Sequence, residues 1–513
     1  MAKLTIDQAL QHAVDAHKAG QLQKAHRLYA AILKVQPKHP DANHNTGLLT
    51  VGFGKIELAL PFFKTALEAN PSIAQFWYSH IVALIKLERL IDAKALLKQA
   101  KGKGIKGADF DQLEQKLDDA NKALAVKPDN AFGYYIMGIA LQEQGKLEEA
   151  IEAYNKALAI KPDYEVARTE NLHQQALICD WDSIAKDANL IPELGTSKKH
   201  VQPFAFLSLE DFPGRHLIRA EIYAKDRYPQ KTLPLRKRPS KKSKRIRIGY
   251  FSNDFKEHPV AYLIAKVLEQ HNRNQFEVFG YSVYGSSSCA MRQRLEKSFD
   301  SFTDVQSLSD RDIALQVRQD EIDIAVDLNG CTQNARTGIF AYRAAPIQIN
   351  YLGFPGTLGA DFMDYIVADR FLIPVENQKY FNEKPLYLPN TYMPTDDSRE
   401  FSQKPMNRSD MGLPDDAFVF CCFNNNYKIS PNEFDIWMRL LTKVENSVLW
   451  LRKSNQISSI NMKNEAQKRK VDPSRIVFAD KLPMDEHLSR HRLADLFVDT
   501  FAFNAHTTAT EAL

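Results

Sequence analysis

The chain is 513 residues long and contains only five cysteines, Cys179, Cys289, Cys331, Cys421 and Cys422, none paired as CxxC. Neither a zinc site nor a disulfide framework is indicated. A chain of this length can bury a core without disulfides, so a reducing compartment is the simplest expectation. No stretch approaches the roughly 18 unbroken apolar residues that a membrane-spanning helix needs. The first twenty residues, MAKLTIDQALQHAVDAHKAG, carry scattered charges where a signal peptide has its apolar core. The expectation is a cytoplasmic protein with no membrane partner. The phosphate-binding pattern GxxxxGK[ST] is missing, which argues against an ordinary ATPase or kinase. The net charge of +4 is small for the length and names no partner.

One local excess of charge stands out. Between Lys231 and Arg247 lie nine basic residues, two prolines and no acid. Such a run reads first as an extended, solvated linker, with an anionic partner or phosphate contact as the alternative. Nucleic acid is disfavoured, because no aromatic residues interleave the charges as single-strand binding requires.

The first 170 residues repeat themselves. Pro37 and Pro71 are 34 apart, as are Pro128 and Pro162. Twelve residues before three of these prolines stand Ala25, Ala59 and Ala150, and eight before them Tyr29, Phe63 and Tyr154. Gly47 and Gly138 lie twenty-four before theirs. Small residues where two helices touch, a bulky residue in the groove and a proline after the second helix resemble the tetratricopeptide repeat. Units near 6–39, 40–73 and 131–164 are clear. One near 74–107 keeps Ala93 and Leu97 but loses its proline, and 101–130 holds an insertion and a degraded unit. A hairpin of this kind cannot bury its apolar face alone, so neighbours stack into a solenoid whose concave surface suits peptides or partner proteins.

After Pro162 the pattern decays into a helical connector and the basic linker, 171–244. Then the period changes. RIRIGYF, FEVFGYSVY, IDIAVDL, PIQINYL and DYIVAD are short runs rich in β-branched and aromatic residues, separated by segments of helical character. Four more, AFVFCCF, SVLWLRK, RIVFAD and ADLFVDTF, follow NRSDMGLPDDA. Strands alternating with helices predict parallel sheets covered on both faces, here two in tandem, 245–400 and 401–513. The expected fold is therefore an α-helical solenoid followed by an α/β region of two Rossmann-like lobes.

In such sheets ligands bind beyond the carboxyl ends of the strands. AFVFCCF is followed by Asn424, Asn425, Asn426, Tyr427 and Lys428. RIVFAD leads to His487 and Arg490, three apart on one helix face, and ADLFVDTF to His506, Thr507 and Thr508 at a predicted helix start. Lysine charge, hydroxyls and free backbone N–H groups together suit a diphosphate. No carboxylate cluster for a metal accompanies them. In the first lobe, NDFKEHPV places His258 after strand one. Leu352–Gly359 is a glycine-rich turn that lacks GxGxxG spacing, which weakens a nicotinamide reading.

These repeats, followed by GYFSNDFKEHPV, DLNGCT, APIQINYLGFPGTLGADFMDYIVAD, FNNNYKISP, EHLSRHRLADLFVDT and NAHTT, resemble the O-GlcNAc transferase/SPINDLY family of glycosyltransferases. The resemblance implies a GT-B fold, a nucleotide-sugar donor, inversion at the sugar carbon, no metal or other cofactor, and protein Ser/Thr hydroxyls as acceptors. By motif, Lys428 is similar to the lysine that neutralises the donor diphosphate, and His506, Thr507 and Thr508 to the phosphate-binding helix start. His487 and Arg490 resemble the residues beside uracil. Glu511 stands where the O-GlcNAc branch has an aspartate for the ribose, and Asn425 where it has glutamine. His258, Thr332, Leu352 and Gly353 resemble residues on the sugar and acceptor side, with His258 a candidate general base. NAHTT and HPV sit closer to the branch that uses UDP-N-acetylglucosamine than to the SPINDLY branch, associated with GDP-fucose. The chain ends directly after HTTATEAL, inside a predicted helix, which suggests a C-terminally truncated lobe. A non-catalytic repeat scaffold is the rival expectation.

Overall fold

The computed structural model describes residues 5–513 apart from 54, 88, 106–109, 111–129, 198, 230–232, 234–243 and 284–288. The degraded repeat and most of the basic run lie outside the described residues. Among those described, no helix is long and apolar enough to cross a membrane. The chain forms two compact units, residues 1–137 and 138–513.

The first unit is built from helix pairs: Ile6–Lys18 with Leu22–Val35, Pro40–Gly52 with Ile56–Ala69, and Ala74–Lys86 with Leu90–Gly102. Thr5 and Gln8 close the first helix with a reciprocal capping box. Ala25 and Ala59 are fully buried, and Tyr29 and Phe63 almost so. A Cβ on Gly47 would come within 2.6 Å of the Phe63 ring, and one on Gly138, in the second unit, within 2.4 Å of Tyr154. The small-against-large spacing seen in the sequence is thus a steric lock. A second regularity was not anticipated. Among the described residues, the carbonyls of three repeat-ending prolines each accept from a side chain six residues on: Asn43 to Pro37 at 2.9 Å, Trp77 to Pro71 at 2.8 Å and Arg168 to Pro162 at 2.8 Å.

The second unit opens with the end of helix Ala131–Glu143, then helices Leu147–Ile160 and Glu165–Leu177, short helix Trp181–Lys186 and helix Pro213–Arg227. Two all-parallel sheets follow. The first contains β1 (Ile246–Ser252), β2 (Phe276–Ser282), β3 (Ser301–Asp304), β4 (Ile324–Asp327), β5 (Ile347–Asn350), β6 (Tyr365–Ala368) and β7 (Lys384–Tyr387), in the order β3-β2-β1-β4-β5-β6-β7. In the second, β8 (Phe418–Cys422), β9 (Ser447–Arg452), β10 (Ile476–Ala479) and β11 (Leu496–Phe497) are ordered β10-β9-β8-β11. β3 and β7 were not expected. Both are four-residue outer strands with half-exposed side chains, so neither leaves an apolar run in the sequence. Residues 171–227 are more than a connector. Trp181 packs into the core of the second lobe beside Phe434, while Ala224 belongs to that of the first.

Candidate functional site

The strand order reverses at β1/β4 in the first sheet and at β8/β11 in the second, the switch points where parallel sheets bind ligands. A cavity of about 460 Å³ lies there, lined by Asn253, Asp254 and His258 from one lobe and by Asn424, Lys428 and Thr508 from the other. Asn425, His506, Thr507, Thr332, Leu352 and Gly353 also line it.

Beyond β8 the chain tightens into a 3-10 turn, Asn426–Lys428, which presents Lys428. Its ammonium donates to the Asn504 carbonyl at 2.9 Å and lies 3.8 Å from the centre of the Phe503 ring. Burial pulls its pKa down to about 8, against the pull of the Asp499 carboxylate. Burial, helped by the Lys428 charge, takes His506 down to about 4, so its imidazole is neutral near pH 7. Phe204, Tyr427 and Phe503 form an aromatic triangle beside the lysine, with ring centres 5.9 to 6.1 Å apart. Asp499 organises the facing loop. Its Oδ1 accepts the backbone N–H groups of Thr500 and Ala505 at 2.7 Å each and the amide of Asn424 at 3.1 Å, and the Thr508 hydroxyl donates to Asn424 in turn. The side-chain Oδ1 of Asn425 accepts from Arg452 at 2.6 Å.

On the first lobe, Asn329 is a buried hub. Its Oδ1 accepts the Asn253 N–H at 2.8 Å, and its amide donates to Asn253 at 2.6 Å and Asp254 at 2.7 Å. Asp254 in turn lies 3.5 Å from Nδ1 of His258. Burial raises the Asp254 pKa against the His258 charge, and lowers that of His258 against the Asp254 charge. His258 also caps helix Pro259–Glu269, its Nδ1 accepting the Val260 N–H at 3.3 Å. On the same lobe, Leu352 holds a left-handed φ of 75° and, among the described residues, the Thr332 hydroxyl has no partner. Sequence reasoning assigned no role to Asp254, Asn329 or Asp499. Asp254, four residues before His258, and Asp499, directly after β11, were the available signals.

His487 and Arg490 stand against Phe423, a residue of the cavity lining, with Glu511 beside His487, and these three do not themselves line the cavity. His487 stands 5.6 Å and Arg490 4.4 Å from that ring, and Nε2 of His487 lies 3.2 Å from Glu511 Oε2. Arg490 donates to the Asp480 carbonyl at 2.7 Å; burial, then the charge of Arg452, lowers its pKa to about 10. Among the described residues, no group of three or more His, Cys, Asp or Glu is placed to hold a metal ion.

The turn that carries Lys428 is held from outside its own lobe. The Trp181 indole donates to the Ile429 carbonyl at 3.2 Å, Cys179 lies 3.9 Å from the Asn426 carbonyl, and His173 packs 5.4 Å from the Tyr427 ring. Trp181→Phe keeps most of the packing and orphans the Ile429 carbonyl. Denaturant unfolding should show a loss of about 1 to 2 kcal/mol; an unchanged midpoint would mean the bond is idle.

Comparison with known proteins fits this architecture. The profile of glycosyl transferase family 41 matches residues 222–407 and 403–513, and tetratricopeptide repeat profiles match 10–72 and 131–164. A probable UDP-N-acetylglucosamine–peptide N-acetylglucosaminyltransferase SEC of Arabidopsis thaliana is 41% identical over 276 residues, 53% of this chain and 28% of that protein. The corresponding transferase of Caenorhabditis elegans is 28% identical over 52% of this chain and 33% of its own length. The Arabidopsis protein named SPINDLY is 30% identical over 52% and 30%. The matched region thus spans about a third of these relatives. An O-GlcNAc transferase structure from Thermobaculum terrenum superposes with a TM-score of 0.55 at 24% identity, covering 100% of this chain and 82% of that one, a likeness of fold. With its profile spanning more than half of the residues, over two parallel sheets that meet at a polar cavity, the chain belongs to glycosyl transferase family 41.

Proposed function

We propose that the protein transfers N-acetylglucosamine from UDP-N-acetylglucosamine to Ser or Thr hydroxyls of proteins, with inversion and without a metal, and that its repeats recruit the acceptors. One observation carries this reading: a lysine that the fold keeps at a carboxyl-end switch point, beside the start of helix Thr507–Ala512 and the hydroxyls of Thr507 and Thr508. As an acceptor hydroxyl attacks the sugar carbon, its new bond forms while the bond to the diphosphate oxygen breaks, negative charge grows on the leaving group, and the hydroxyl proton passes to the departing diphosphate. Lys428 and the first-turn N–H groups stabilise that charge where it develops. The nearby carboxylates are committed elsewhere, Asp499 to Asn424 and backbone amides, Asp254 to Asn329.

His258 fits a positioning part better than that of general base. With the Val260 N–H donated into Nδ1, the neutral ring carries its proton on Nε2 and offers a substrate a donor. Acting as base through Nε2 would require the proton to move to Nδ1, toward Asp254, and the helix cap to break.

Radiolabelled transfer to a protein acceptor tests the proposal directly. UDP-N-acetylglucosamine should be turned over at an unchanged rate after EDTA treatment. Turnover only with added manganese or magnesium would overturn the metal-free mechanism, and transfer from GDP-fucose alone would reassign the donor.

A further inference from the structure

The segment between the lobes, residues 394–402, is pinned at both ends. Asp396, its side chain fully buried, accepts from Arg294 at 2.5 Å and from Ser398 Oγ at 2.6 Å, and Arg294 is itself paired with Glu269 at 2.7 Å. At the other end, the Ser402 N–H donates to the Asp485 carbonyl at 3.1 Å. Between these anchors Arg399 reaches into the second lobe and donates from its guanidinium to Glu511 Oε1 at 3.1 Å, while His487 faces Oε2 at 3.2 Å. Both side chains of the Arg399–Glu511 pair are nearly buried, 12% and 4% exposed. An ionised carboxylate offers about four acceptor sites, so two remain for a cis-diol.

We propose that Arg399 is a positioning residue that holds the Glu511 carboxylate ionised and oriented to accept the ribose hydroxyls of the nucleotide, coupling the inter-lobe segment to the donor pocket. This rests on the reading of Glu511 as a ribose acceptor. A carboxylate this buried is raised in pKa by desolvation, yet the His487 bond and charge and the Arg399 charge outweigh it and hold Glu511 below the usual value. The other groups around Glu511 are Arg490 and His491 of the second lobe and Tyr262 on the first-lobe helix Pro259–Glu269. Burial takes His491 down to about 4 and raises Tyr262, so both are neutral at pH 6 to 8, and Arg490, at about 10, stays charged.

The sign follows. With Arg399→Gln, Glu511 loses its cation, desolvation is less opposed and its pKa rises, so the anion is lost first at the acid end. Calorimetric titration with UDP between pH 6 and 8 is read as the ratio of R399Q to wild-type affinity, in which the titrations of Lys428 and of the UDP phosphate are common to both. That ratio should fall roughly three- to tenfold from pH 8 to pH 6. R399K should restore a level ratio, and in an E511Q background R399Q should add no pH dependence. R399Q that weakens binding equally at every pH, or not at all, overturns the proposal. If the wild type binds neither UDP nor GDP, or E511Q binds like the wild type, the ribose reading falls and takes the proposal with it.

Discussion

Lys428→Met should leave a folded protein that transfers sugar on the order of a hundred- to a thousandfold more slowly, the scale set by removing one stabiliser of transition-state charge. The methionine keeps the stem over Phe503 and deletes the ammonium. Stability should move the other way. Folding lowers the lysine's pKa from 10.5 to about 8, so the protonated side chain weighs on the folded state at full strength below pH 8, and that burden fades as pH rises from 8 to 10.5. At pH 7 the variant should therefore melt no lower than the wild type, and the wild type should gain stability relative to it as pH rises from 8 to 10.5. A variant equally inactive yet markedly less heat-stable would make Lys428 structural. On the proposed mechanism the same charge that burdens the free protein pairs with the donor diphosphate, a trade of stability for function.

What the sequence disclosed depended on how local each signal was. Tyr29 and Phe63 recur at a fixed distance from a proline, so a steric lock between adjacent helices was visible in one dimension. Lys428 and Thr508 were legible because parallel strands deliver their last residues to one edge, whatever the side chains beyond them do. β3 and β7 were not, since four half-exposed residues at the rim of a sheet need no hydrophobic alternation. Contacts across long stretches of chain left no trace at all. Trp181 bonds a carbonyl 248 residues away and Arg399 a carboxylate 112 away, and nothing about either residue's neighbours in sequence announces the partner. His258 sits between these cases. A residue just before a proline at the first helical position is a natural cap, and that local signal bears on its tautomer and hence on the part it can play.

The second large effect is expected at Gly353→Ala. A Cβ there would lie 2.0 Å from the backbone oxygen of Leu328 and 3.2 Å from Asn329 Cα, and a carbonyl at the end of β4 cannot swing aside as a flexible side chain can. The preceding Leu352, already left-handed, leaves little freedom to move the turn instead. Relief must come from displacing Leu328 and Asn329, and Asn329 holds both the Asn253 N–H and the Asp254 carboxylate that stands beside His258. One methyl group should therefore cost roughly 3 kcal/mol in urea unfolding and also weaken transfer in the fraction that remains folded. Gly356→Ala is the control in the same loop, because its nearest neighbour is the Phe354 ring at 3.0 Å, which can give way. If Gly353→Ala proves as stable and as active as Gly356→Ala, the loop and the end of β4 are not in the contact that shapes this wall of the cavity.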